Sequence, residues 1–127
     1  MRVSTNRCGV VGVKTDAPLG AAAALAVLDV LEDEGLVGRS RTMGSCLAEM
    51  MRARDLGDVR GAGLLLALPV GGSARTLSLV HALLVRGYLV LPAGADASVL
   101  QFVPPLTVTE PQVTGLVEAL AAAMGVP

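Results

Sequence analysis

The chain has 127 residues, the size of one domain with a single core, which buries roughly two-thirds of the surface its unfolded form exposes. It is 53% hydrophobic but holds only one Tyr and one Phe, so Leu, Val and Ala must build that core and little aromatic surface remains for stacking bases or sugars. A net charge of -1, with scattered arginines and a single lysine at Lys14, argues against a nucleic-acid partner, which needs a concentrated basic surface.

Cys8 and Cys46 are too few for a metal cluster and lack the spacing of a C-x-x-C redox pair. Two free thiols in a reducing compartment is the simplest reading, and no metal site is expected. The longest apolar runs, Pro18 to Leu28 and Ala62 to Leu68, fall well short of the ~20 residues that a bilayer requires, so no membrane association is expected. Met1 to Arg7 is polar with no apolar stretch behind it, and no signal peptide is visible. The expected location is the cytoplasm.

Residues 1–15 show no helical period and read as a loosely tethered lead-in, with residues 16–127 forming the domain. A first helix begins around Asp16, Ala17 and Pro18, since Pro is tolerated in a first turn. Its run Leu19 to Leu31 is apolar nearly all round, which calls for burial on more than one side, and Gly35 is a natural stop. A second helix is expected from about Leu36 to Arg54, with Leu36, Met43, Leu47, Met50 and Met51 as its apolar stripe. Val59 to Leu68 then reads as one glycine-punctuated strand whose later half is continuously apolar, as in a strand covered on both faces.

A third helix is expected over about Ala74 to Arg86, with Leu77, Val80, Leu83 and Leu84 at helical spacing and Gly87 as its stop. Tyr88 to Leu91 and Val99 to Val103 make two short strands around a turn at Pro92-Ala93-Gly94. Thr109, Pro111 and Gln112 spell a capping box for a last helix that runs to about Met124 on Val113, Leu116, Val117 and Leu120. The order predicts an α+β fold, a small sheet of about three strands covered by helices.

Four stretches in register resemble the C-terminal part of class III pyridoxal-phosphate aminotransferases, the acetylornithine, ornithine and 4-aminobutyrate type. Pro18 to Leu31 is similar to the family's N-P-L-A-C-A-A-A-L-A-V-L helix. Asp58 to Leu64 is similar to its V-R-G-x-G-L strand. Arg86 to Val90 with Pro92-Ala93-Gly94 resembles R-G-V-L-V followed by proline and glycine. Val99 to Thr109 resembles L-R-x-x-P-P-L-x-I-T. The resemblance covers about residues 16–125 and implies the small C-terminal domain of a fold-type I enzyme.

By that resemblance the complete enzyme moves an amino group to a 2-oxo acid as a homodimer using pyridoxal phosphate. The reaction needs a lysine Schiff base, a carboxylate facing the pyridinium nitrogen and a phosphate cradle. In the family the lysine and carboxylate belong to the large domain. Lys14 matches no such motif and reads as a solvated loop lysine. The chain alone is therefore expected to bind no cofactor, to be inactive, and to work as a homo-oligomer or with a separate large-domain chain. An interaction or regulatory domain derived from the same fold is the other reading.

The family's G-[ST]-T-F-G-G stretch, whose threonine holds a phosphate, falls on Gly12 to Ala17. The threonine's place is Val13, while Thr15 and Asp16 replace the paired glycines. Thr15 is the candidate substitute for cofactor binding, although Asp16 beside it repels phosphate. The arginine that clamps the substrate carboxylate in the family corresponds to Gln101, which donates without charge or fork. On strand alternation Gln101 shares a face with Val99 and Val103, so a strand polar group satisfied by a neighbour is the structural alternative. His81 on the third helix has no relay partner and reads as a surface histidine. Cys46 has no paired base and is expected to be buried.

Overall fold

A computed structural model describes residues 18–126, which divide into two compact units, one ending at Gly35 and one starting at Leu36. The first contains helix α1, Pro18–Asp33. Proline opens it, where no amide hydrogen is needed, and Ala and Leu carry it. The chain leaves the helix as expected: Gly35 takes φ 59, and its amide donates to the carbonyl of Glu32 at 3.1 Å. None of the residues of α1 is buried.

The second unit begins with α2, Leu36–Ala53. Leu36, Gly44, Leu47, Ala48 and Met51 form its buried face, and Met43 and Met50 are half-buried beside it. This helix stops on Asp55 in the left-handed region (φ 53), a conformation that Asp tolerates better than most residues. Strands β1 (Arg60–Ala62) and β2 (Leu65–Pro69) follow, then α3 (Ser73–Val85), β3 (Leu91–Ala93), β4 (Val99–Phe102) and α4 (Glu110–Met124).

The four strands form one antiparallel sheet in the order β1-β2-β4-β3. The expected α+β class holds, with four strands where about three were predicted. The extra one arises because the single strand expected over Val59 to Leu68 folds back on itself. Gly63 takes φ 54, and the hairpin pairs Ala62 with Leu65. The turn is held from outside, since the amide of Leu64 donates to Oγ of Ser40 on α2 at 3.2 Å.

The covering on both faces expected for this segment is not found within the unit. Leu66 and Leu68 on β2, with Leu100 and Phe102 on β4, point inward and are buried, while Leu65, on the opposite face, is 57% exposed. Helices α2 and α3 lie against the inner face, and α4 closes the layer by packing on both of them. There Leu47, Met51, Leu83, Val113, Val117 and Leu120 complete an aliphatic core around Phe102.

The third helix is rotated from its expected face. Leu83 is buried and Val80 half-buried as expected, but Leu77 and Leu84 are 55% and 53% exposed, and Thr76 and Leu79 are buried in their place. Thr76 can occupy the core because its hydroxyl donates to the carbonyl of Gly72 at 2.9 Å, which satisfies the buried group locally. The last helix has its expected buried stripe. Oε1 of Gln112 accepts the amide of Thr109 at 2.9 Å and its hydroxyl at 3.0 Å.

Candidate functional site

Strand pairing sets one row of side chains across the outer face of the sheet. Arg60 on β1 stands opposite Ala67 on β2, Ala67 opposite Gln101 on β4, and Gln101 opposite Leu91 on β3. Directly opposed residues point to the same side of a sheet, so all four face outward together. Beside this row lie Ala62 and Leu65 at one side, and Val99 and Ala93 at the other.

A shallow depression of about 420 Å³ occupies this face. Arg60 and Gln101 are its polar borders, and Leu65, Ala67 and Ala93 are among its apolar walls. It exists because Ala67, in the middle of the row, carries only a methyl group between two long side chains. Gln101 is half-buried, and none of the side-chain hydrogen bonds formed among the described residues involves it. The alternative of a neighbour-satisfied strand amide therefore finds no partner within the described residues. Its sharing of a face with Val99 agrees with the register.

Arg60 is exposed and paired with Asp58, whose Oδ2 accepts from Nε at 2.7 Å and lies 2.6 Å from Nη2. One carboxylate oxygen thus takes the Nε–Nη2 side of the guanidinium. Among the described residues nothing else binds Arg60, so its Nη1 donors remain available. Arg60 was visible in the sequence only as part of the V-R-G stretch. Its placement in the same row as Gln101 depends on the register of the β1–β2 hairpin and of the long-range β2–β4 pair, which no local pattern encodes.

Two other concavities lie elsewhere on this unit. One of about 400 Å³ lies between Tyr88, Phe102, Pro104, Val113 and Leu116, and its lining is mostly apolar with Gln112 among it. The other, about 170 Å³, sits where α2 crosses the β1–β2 hairpin near Gly44 and Gly63.

Of the remaining candidates, His81 is exposed on α3 between the exposed Leu77 and Leu84. Cys46 is half-buried, not buried as expected, because it sits at the edge of the α2 stripe with its Sγ 3.8 Å from Sδ of Met50. Cys8, Val13, Lys14, Thr15 and Asp16 lie outside the described residues. Among the described residues no three His, Cys, Asp or Glu side chains group as metal ligands, and no helix is long and apolar enough to cross a membrane.

Comparison with known proteins accounts for most of the chain. The family described as aminotransferase class-III matches residues 15–124. An acetylornithine aminotransferase of Mycobacterium bovis is 39% identical over 123 residues, which is 87% of this chain and 28% of that protein. A 5-aminovalerate aminotransferase of Pseudomonas aeruginosa is 34% identical over 117 residues, covering 82% of this chain and 28% of the relative. An amine transaminase from an uncultivated Pseudomonas species, solved with pyridoxal phosphate bound, superposes with a TM-score of 0.76 at 33% identity, over 85% of this chain and 27% of that one. The chain therefore spans little more than a quarter of the length of these relatives.

The described residues do not fit pyridoxal phosphate by themselves. The sequence has one lysine, Lys14, which lies outside them, and the depression on the sheet is bordered by a guanidinium and a carboxamide with no amine to form a Schiff base.

Proposed function

Because this chain belongs to the class III aminotransferase family over residues 15–124, we propose that it is the C-terminal small-domain segment of such an enzyme and is silent alone. The observation that carries this reading is the asymmetry of the sheet. Its inner face is packed by α2 and α3, on which α4 lies in turn, while its outer face, with Gln101 in the strand that resembles the family's carboxylate-binding motif, is left open. In this reading the open face is one wall of the active site. The other three-quarters of the enzyme supplies the lysine, the partner carboxylate of the cofactor and the phosphate cradle, in the cytoplasm and within a homodimer or a two-chain assembly. The reaction is transfer of an amino group from an amine or amino acid to a 2-oxo acid. Within it the segment binds and orients the substrate and excludes water.

The experiment is complementation. The purified chain is mixed with a polypeptide carrying the large domain, and 2-oxoglutarate-dependent transamination is measured with pyridoxal phosphate present. Activity in the mixture and none in either part supports the reading. Activity from this chain alone, or an inactive mixture of two folded chains, overturns it.

A second reading, a non-catalytic interaction or regulatory domain of the same descent, is favoured by one feature, Gln101 where the family motif has arginine. In that case the mixture forms a complex by sedimentation but transaminates no faster with this chain than without it.

A further inference from the structure

We infer that Arg60 and Gln101 together receive the carboxylate of a small aliphatic acid, seated over Ala67 on the open face of the sheet. The inference rests on the reading of Gln101 as the carboxylate position and supplies what that position lacks, a positive charge.

Neighbouring strands lie about 4.8 Å apart, so the backbones of Arg60 and Gln101 stand about 10 Å from each other across β2. Two long side chains approaching from either end of that span leave room between them for a group of carboxylate size, and the methyl of Ala67 is its floor. Both residues border the same depression. Asp58 occupies the Nε side of the guanidinium through one oxygen. That pairing orients the Arg60 head and leaves Nη1 to donate to an incoming carboxylate. From the opposite side Nε2 of Gln101 donates to the second oxygen. The clamp is therefore split between two strands, where the family motif concentrates it in one arginine.

The apolar walls define the rest of the ligand. Leu65 and Ala93 flank the row, and Leu91 ends it at 55% exposure. These surfaces suit a short methylene chain attached to the carboxylate. They also lower the local polarity, which strengthens the charged hydrogen bonds. Asp58 opposes the incoming negative charge, so its removal strengthens binding while the clamp itself stays in place.

The test uses the 127-residue chain with butyrate as probe and butyramide, its uncharged counterpart, as control. Side-chain resonances of Arg60 Nε–H and the Gln101 amide are followed by NMR. Both are expected to move along one saturating curve with butyrate and to stay still with butyramide. Arg60→Gln and Gln101→Ala should each weaken binding about fivefold, less than the loss of a fully buried charged hydrogen bond, whereas Asp58→Asn should tighten it. Retained amide contacts between β2 and β4 show that each variant is folded. If a variant at 60 or 101 fails to fold, Asp58→Asn decides, since it leaves both binding groups in place.

A butyrate curve that does not saturate, or one unchanged in Arg60→Gln and Asp58→Asn, overturns the inference. Gln101→Arg then separates the two readings. If this variant binds butyrate, position 101 is the carboxylate position and only the part given to Arg60 falls. If it does not, the reading of position 101 falls as well.

Discussion

The guanidinium of Arg39, near the start of α2, donates to the carbonyl of Val108 at 2.8 Å, and to the carbonyls of Leu106 and Thr107 at 3.2 and 3.4 Å. These three consecutive carbonyls belong to the segment between the Pro104-Pro105 exit of β4 and the cap of α4. They lie 67 to 69 residues along the chain from Arg39. One planar side chain thus fixes where the last helix starts against the second. Replacing Arg39 with Ala should lower unfolding free energy by about 1–2 kcal/mol, the net worth of hydrogen bonds from a charged donor at a partly exposed site. Urea denaturation measures this. Arg39→Lys, which lacks the planar fork, should recover less than half of the loss.

The crossing of α2 over the β1–β2 hairpin depends on the absence of a side chain at Gly44. A Cβ there would collide with the carbonyl of Gly63. Gly44→Ala should therefore cost about 2–3 kcal/mol, as overpacking does in a closely packed core. Gly38 in the same helix has nothing within 4 Å of an added Cβ. Gly38→Ala should stabilise the protein by up to about 1 kcal/mol through helix propensity. Thermal unfolding of the two variants should shift in opposite directions.

In the β3–β4 turn, Oδ1 of Asp96 accepts the hydroxyl of Ser98 at 2.7 Å and its amide at 3.2 Å. These two bonds hold the Asp96 carboxyl below its ordinary range, the hydroxyl first and the amide second. A carboxylate with a lowered folded-state pKa contributes stability above its unfolded value and loses it as pH falls through the folded one. The Ser98 amide should thus be protected from hydrogen exchange near neutrality, and its protection should decline only below the ordinary aspartate range. In Asp96→Asn that decline should disappear.

Helix α1 presents Leu19, Leu25, Val27 and Leu28 to solvent, with Leu19 82% exposed. Apolar surface of this extent drives association. Sedimentation of the chain should show concentration-dependent self-association, and Leu25→Glu with Leu28→Glu should shift the population toward monomer. A wild-type chain that stays monomeric at every concentration would contradict this.

Helices were the most legible part of the sequence, because caps and stops such as Gly35, Gly87 and the Thr109–Gln112 pair are local. The face of α3 was not. Its apolar residues fit two stripes, and the buried Thr76 becomes acceptable only through its bond to Gly72. The hairpin inside Val59 to Leu68 was also hidden, since Gly61 and Gly63 read equally well as punctuation within one strand. What makes Gly63 a corner is the approach of Ser40 and Gly44 from α2, and that is a tertiary contact. At the candidate site Gln101 was named from the motif alone. Arg60 joined it only once two strand registers were known.

Both margins of the sheet are short. β1 has three residues with Gly61 in the middle, and β3 has three with Pro92 in the middle. Proline offers no amide hydrogen to a further strand, and three residues make a poor template for one. A polypeptide approaching this sheet therefore gains little by lining up along its rim and far more by lying flat upon it. The sheet is built to be stacked against, and resists being extended.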